Sequence, residues 1–285
     1  MTDIVTRFAP SPTGRLHLGH AFSAFFAYEM ARAQGGRFLL RIEDIDPDRC
    51  RPEFDTRILE DLAWLGLRWE EPVWRQSERM DAYAAALDAL RQRGLLYPCF
   101  CTRKDIQREI DAAGHAPHGP DGPVYPGTCR RLSDDERAER IENGTPHALR
   151  LRMDGATEVA GPLDFADAAA GRVTVDALPF GDVVLARKDI ATSYHLAVVV
   201  DDAAQGVTTV TRGEDLLPAA HVHRVLQALL GLPEPRYAHH GLLTDADGKR
   251  FAKRDVGLTI RALREAGHAP AAVREMTGID AVKFG

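Results

Sequence analysis

From Arg7 to His20 the chain reads Arg7-Phe8-Ala9-Pro10-Ser11-Pro12-Thr13-Gly14-Arg15-Leu16-His17-Leu18-Gly19-His20, and this stretch restricts the fold more than any other. Ile4 to Phe8 alternates as a short strand does, and two prolines and Gly14 then force a tight, non-helical connection. From about Leu18 the run through Phe22, Phe25, Phe26 and Met30 has almost no polar face, which predicts a buried helix. The product is strand, loop and helix, with His17 and His20 where the helix begins. Free backbone N–H groups and partial positive charge collect at a helix start, so a phosphate would be held there, with two imidazoles as added donors. Two histidines satisfied locally at a cap are the plainer alternative. Gly14 and Gly19, which keep side chains out of the way, favour the phosphate site. The G-x-G-x-x-G fingerprint is absent, so no NAD-type site is indicated.

The rest of the chain has three characters. Up to about residue 95 strands and helices alternate. Phe38 to Ile42 is a second strand ending in Glu43, Asp44 and Asp46. Pro52 opens a helix towards Leu65, and Ser77 is the expected cap of a helix from about Glu78 to Arg93. Such alternation predicts an α/β domain with a parallel sheet. Between about 96 and 180, residues 115–126 are rich in Pro and Gly, Ser133 to Glu136 is a capping box, and Ala148 to Met153 alternates like an antiparallel strand. From 181 the α/β pattern resumes. Leu196 to Val200 predicts a strand buried on both faces, Val207 to Thr211 another strand, and Pro218 to Leu230 a helix stopped by Gly231. Two short helices are expected at the end.

Charge and cysteine content narrow the class. The net charge of −6 over 285 residues argues against indiscriminate nucleic-acid binding but allows a local basic face. No apolar run reaches membrane-spanning length and no leader-like start is present, so a cytoplasmic protein without membrane attachment is expected. In that compartment Cys50, Cys99, Cys101 and Cys129 are not expected to form disulfides.

The run Arg7 to Gly14 followed by His17-Leu18-Gly19-His20 resembles the "HIGH" signature of class I aminoacyl-tRNA synthetases in its glutamyl form. Arg41 to Asp46, Tyr194 to Asp202 and Arg212 to Leu216 resemble further blocks of that family, and Arg250-Phe251-Ala252-Lys253-Arg254 stands where it has its "KMSKS" loop. The resemblance implies an α/β fold: the Rossmann-like parallel sheet of the class I catalytic domain, with a zinc-containing insertion and a short helical C-terminal segment. On that scheme 1–95 is the first half of the nucleotide-binding domain, 96–180 an acceptor-binding insertion, 181–235 the second half, and 236–285 the KMSKS-like loop and tail. A full synthetase continues into a helical anticodon domain. The thirty or so remaining residues are too few for one, so the resemblance is to the truncated paralogues that glutamylate queuosine in tRNA(Asp).

That likeness also implies the chemistry. ATP with Mg2+ would activate L-glutamate without tRNA, and the glutamyl group would pass to the queuosine base of tRNA(Asp); a monomer is expected. In-line attack of a carboxylate on phosphorus depends on positioning and electrostatics. His17, His20 and Lys253 are the catalytic set, and His17, Gly19, His20 and Lys253 bind ATP. The resemblance assigns Arg7 and Arg212 to carboxylate recognition, Glu43 to the substrate ammonium, Tyr194 to a pocket hydrogen bond, and Ala9 and Ser11 to the pocket wall. A guanidinium fork suits a carboxylate, and a buried carboxylate suits an ammonium. Arg250 and Ala252 depart from the family's Lys and Ser, and Ala252 removes a hydroxyl donor. That departure favours a second class of function, a non-catalytic tRNA- or synthetase-binding paralogue, against which His17, His20, Glu43 and Lys253 stand. A small-molecule nucleotidyltransferase would share the histidines but lack the glutamate-pocket blocks.

Cys99, Cys101 and Cys129 supply three thiolates, one ligand short of a tetrahedral zinc site. The family uses a Tyr four residues before the last Cys, which here is Tyr125; His115 and His118 are the more orthodox donors. The expected cofactors are one structural Zn2+ and Mg2+ with ATP.

Overall fold

The computed structural model describes residues 4–112, 118–119, 122–243 and 259–284. In its first part the elements are β1 (Val5–Phe8), α1 (Leu18–Ala33), β2 (Arg37–Ile42), α2 (Pro52–Trp64), β3 (Glu70–Arg75) and α3 (Met80–Gln92). Next come β4 (Leu96–Cys99), α4 (Arg103–Ala112), the two-residue strands β5 (His118–Gly119) and β6 (Gly122–Pro123), α5 (Asp134–Glu142), β7 (Ala148–Leu151), α6 (Met153–Ala160), β8 (Asp164–Asp167) and β9 (Gly171–Thr174). The last part holds β10 (Val184–Ala186), α7 (Tyr194–Ala204), β11 (Thr209–Gly213), α8 (Ala219–Leu230), β12 (Arg236–His240), α9 (Ile260–Glu265) and α10 (Pro270–Thr277).

Parallel pairing builds the main sheet. β1 pairs with β2 and β2 with β3, while β11 pairs with β12 and β12 with β8, all in parallel; β9 closes the edge antiparallel to β8. The two sets meet where Thr208 N–H donates to Val5 O at 3.0 Å and Val5 N–H donates to Thr208 Oγ1 at 2.8 Å. Strand order reverses there, and a crevice at the carboxyl ends of the strands flanking such a reversal is where α/β sheets bind ligands. α1 covers this sheet, burying Phe22, Phe25 and Phe26 against Leu40, Ile42, Ile58 and Leu62. β4, β7 and β10 form a separate antiparallel sheet. β8 and β9, although within 96–180, extend the main sheet instead.

Two local expectations give way. Leu196 to Val200 is not a strand but lies inside α7, where Leu196 to Val199 pack against Tyr83 and Leu87 of α3 and Val222 and Leu226 of α8. A short apolar run serves a helix buried on several sides as well as a strand, and periodicity cannot separate the two. Ser77 does not cap α3, whose N-cap is Arg79. Asp44 captures it: Ser77 N and Oγ donate to the Asp44 carboxylate at 2.9 and 2.6 Å. The Ser133 capping box forms, with Glu136 N donating to Ser133 Oγ and Ser133 N to Glu136 Oε2.

Candidate active site

The two histidines cap α1 themselves. His17 is the N-cap, its Nδ1 accepts Gly19 N–H at 3.1 Å, and its own N–H donates to His20 Nδ1 at 3.2 Å. A Cβ on Gly19 would lie 3.1 Å from the His17 ring, so glycine permits this cap. Because both Nδ1 atoms accept, each neutral ring carries its proton on Nε2. The local cap given by the plainer reading of the sequence therefore forms, and both histidines also line the cavity described below. Thr259 bridges to His17, and Ile260 N–H donates to Leu16 O at 2.9 Å. Lys253 lies outside the described residues, yet the chain on either side of 244–258 borders the site through Leu243 and Thr259.

Behind the histidines lies a buried charge network. Arg7, at the end of β1, donates through Nε and Nη2 to Asp202 at 2.9 and 3.3 Å and through Nη1 to Thr211 O at 3.0 Å. Asp202 also meets Arg41 Nη1 at 2.8 Å, and Arg41 Nη2 donates to Glu43 at 3.3 Å. Burial raises the Glu43 carboxyl, an effect that Arg41 and Arg7 oppose without cancelling. For Asp202 the balance reverses: burial raises it, but Arg7 and Arg41 together hold it below the usual carboxylate range. Asp202 and Arg41 lie within blocks that the sequence marks, yet nothing in the sequence shows that they organise Arg7 and Glu43.

Arg212, at the end of β11, is 7% exposed. Its Nε donates to His239 Nε2 at 3.0 Å, and its Nη1 to His223 Nδ1 at 3.1 Å and Tyr194 Oη at 3.3 Å. Its Nη2 is buried and has no partner among the described residues. Burial raises the Tyr194 phenol and, with Arg212 next, lowers His223 well below the ordinary histidine range.

Two adjoining cavities share Phe8, Ala9, His20, Glu43 and Tyr194. The smaller, of about 260 Å3, adds Arg7, His17, Gly19 and Arg212. The larger, of about 580 Å3, adds Ser11, Cys50, Arg187 and His195. Of the residues singled out from the sequence, Arg7, Ala9, His17, Gly19, His20, Glu43, Tyr194 and Arg212 thus line one cavity, and Ser11 lines its neighbour. Asp46 holds Arg187 at 2.9 Å on the larger cavity's rim.

The cysteines form a separate cluster. The sulfurs of Cys99, Cys101 and Cys129 lie within 4.8 Å of one another. Tyr125 Oη stands 3.4 Å from Cys99 Sγ and 3.5 Å from Cys101 Sγ, and Cys101 and Cys129 are 3.4 Å apart. A tetrahedral zinc would set sulfurs about 3.8 Å from each other and about 3.5 Å from an oxygen ligand, so this donor set fits one. Burial pushes the Cys101 thiol up to about 11. At Cys129 hydrogen bonds from Tyr125 and Phe100 N–H outweigh burial and lower the thiol. Cys50 lies apart from the cluster.

Comparison with known proteins gives concordant results. The family model for the catalytic domain of class I tRNA synthetases (E and Q) matches residues 3–280. A glutamyl-Q tRNA(Asp) synthetase of Rhodobacter capsulatus is 53% identical over 97% of this chain and 100% of its own length. One from Nocardia farcinica is 50% identical over 93% of this chain and 80% of its own. Among solved structures, a glutamate tRNA ligase from Elizabethkingia meningosepticum in complex with its amino acid superposes with a TM-score of 0.81 at 30% identity. That match covers 96% of this chain and 60% of the ligase. No helix among the described residues is long and apolar enough to cross a membrane.

Proposed function

From the premise that this chain belongs to the class I tRNA synthetases of the E and Q type, as a ligase of the glutamyl-Q tRNA(Asp) synthetase branch, we propose that it activates L-glutamate with ATP and transfers it to the queuosine base of tRNA(Asp). One observation carries the substrate assignment: the buried Arg212 guanidinium, whose Nη2 has no partner among the described residues, shares a cavity with the Glu43 carboxylate and the His17–His20 pair. A buried cation lacking a full set of acceptors costs free energy until an anion reaches it. The substrate's side-chain carboxylate goes to Arg212 and takes a hydroxyl hydrogen from Tyr194, since Tyr194 Oη already accepts from Arg212, while Arg7, paired with Asp202, lines the cavity beside them. Its ammonium goes to Glu43, while Ala9 and Ser11 shape the wall.

The α-carboxylate oxygen then bonds to the α-phosphorus as the bond to pyrophosphate breaks. The Nε2–H groups of His17 and His20 and the N-terminus of α1 stabilise the developing charge, and Gly19 admits the phosphate to the backbone. Lys253 is assigned to the departing phosphates by its place in the KMSKS-like loop. Mg2+ accompanies ATP as part of the substrate and screens its charge. In the second step a queuosine hydroxyl attacks the activated carbonyl, losing its proton as AMP leaves. Cys99, Cys101, Cys129 and Tyr125 would hold one Zn2+, which would tie β4 to the segment after β6 as a structural staple.

The test is the fate of labelled glutamate incubated with ATP and tRNA(Asp) with and without queuosine. Label is expected on queuosine-bearing tRNA only and, after nuclease digestion, on the modified anticodon nucleoside. Label on the 3′-terminal ribose would refute the transfer step.

A further inference from the structure

Arg212 differs from the other buried arginines of the site in what accepts its hydrogen bonds. Arg7 and Arg41 each meet carboxylates, whereas Arg212 has no carboxylate within ion-pair distance among the described residues. Its acceptors are two imidazoles and a phenol. The geometry fixes their protonation. Since Arg212 Nε–H donates to His239 Nε2, the His239 proton resides on Nδ1, which donates to Asp167 Oδ2 at 2.6 Å. Asp167 is itself saturated: Oδ1 accepts Ala169 and Ala170 N–H at 2.9 and 2.8 Å, and Oδ2 also accepts His239 N–H at 3.2 Å. On the other side His223 Nδ1 accepts from Arg212, so its proton is on Nε2 and donates to His195 Nδ1 at 3.1 Å. Both rings are neutral acceptors locked in one tautomer, and Asp167 reaches Arg212 only through a ring.

We propose that His239, held by Asp167, and His223 are positioning residues that orient Arg212 without neutralising it, and so make the cavity select a side-chain carboxylate over the matching carboxamide. The inference rests on reading the cavity as an amino-acid pocket. A guanidinium already paired with a protein carboxylate presents little net charge and treats acid and amide alike. One held by neutral acceptors presents its full charge, so a carboxylate gains a charge-assisted bidentate contact that an amide cannot match. Burial, followed by Arg212, holds the His239 imidazole at about 4, consistent with its neutral role. β8 is what delivers Asp167 to β12, Asp167 pairing with Tyr237 in the parallel register.

The experiment compares L-glutamate and L-glutamine in ATP–pyrophosphate exchange, with kcat and KM resolved for each, in the full chain and in His239→Gln, His239→Glu, His223→Gln and His223→Glu. The Gln variants keep a neutral acceptor and are expected to hold the glutamate-to-glutamine ratio of kcat/KM within about threefold. The Glu variants place a carboxylate on Arg212 and are expected to lower that ratio about 100-fold, mainly through a higher KM for glutamate. Two positions are used so that one misfolded variant, recognised by its thermal melt, leaves the other to decide. An unchanged ratio in a folded Glu variant overturns the proposal, as does an equal loss in His239→Gln, which would reveal packing alone. A wild-type protein showing no amino-acid-dependent exchange would instead refute the amino-acid pocket itself.

Discussion

Arg7 Nε and Asp202 Oδ1, 195 positions apart in sequence, meet at 2.9 Å beneath the candidate pocket. The same Asp202 oxygen lies 2.8 Å from Arg41 Nη1, so one carboxylate from α7 joins β1 to β2. This pairing lets three buried charges coexist and leaves Glu43 facing the cavity.

Asp202→Asn should therefore destabilise the fold by about 3–5 kcal/mol, because two buried guanidinium groups lose their shared anion. Urea unfolding of the purified variant measures this. A loss below about 1 kcal/mol, the range of exposed pairs, would show the network to be dispensable.

Arg212→Gln should behave in the opposite way. Glutamate-dependent kcat/KM is expected to fall about 1,000-fold. The melting temperature should stay close to that of the wild type, since removing a buried cation whose Nη2 has no partner among the described residues offsets the donors that His239 and His223 lose. Steady-state exchange kinetics beside a thermal melt separate the two effects. Full activity in this variant would remove Arg212 from substrate recognition.

Acid should loosen the protein through its buried histidines. Burial, with Arg212 next, holds His239 at about 4 and His223 well below the ordinary range, and burial also lowers His221 and His240. Below about pH 6.5 these four histidines take up protons in the unfolded chain that they do not take up in the folded one, which outweighs the opposite effect of the single Asp61 carboxyl that burial raises to about 6, so unfolding free energy falls on acidification until His239 also protonates near pH 4. Melting temperatures taken from pH 7.5 to 4.5 should decline, with a shallower slope in His239→Gln. A flat profile would contradict neutral, buried imidazoles.

Metal analysis tests the cysteine cluster. One equivalent of zinc is expected in protein purified without chelator, and Cys129→Ser should abolish it. Tyr125→Phe should retain three thiolates but release zinc at lower chelator concentration. Metal-free wild-type protein with an unchanged melt would show the thiols to be packing groups only.

How much of this could be seen in the sequence depended on whether local rules or tertiary partners decide each position. The strand–loop–helix around His17 and His20, the helix beginning at Pro52 and the Ser133 capping box follow from local chemistry, and they form as expected. Leu196 to Val200 misled because burial on several sides erases the period that marks a helix. Ser77 misled because Asp44, 33 positions away, competes for its hydroxyl. The wall of the cavity was legible where residues fall in motif blocks, namely Arg7, Glu43, Tyr194 and Arg212. The residues behind it, Asp167, His223 and His239, were not, since each acts only through another side chain. His239 beside His240 near the end of a strand was the one available hint.

The measurement that bears most directly on this account is ATP–pyrophosphate exchange by the purified chain with L-glutamate and no tRNA. Exchange that requires glutamate, and that His20→Ala reduces by at least about 100-fold, is the predicted result. Folded protein that forms no adenylate with glutamate, with or without tRNA(Asp), would contradict it.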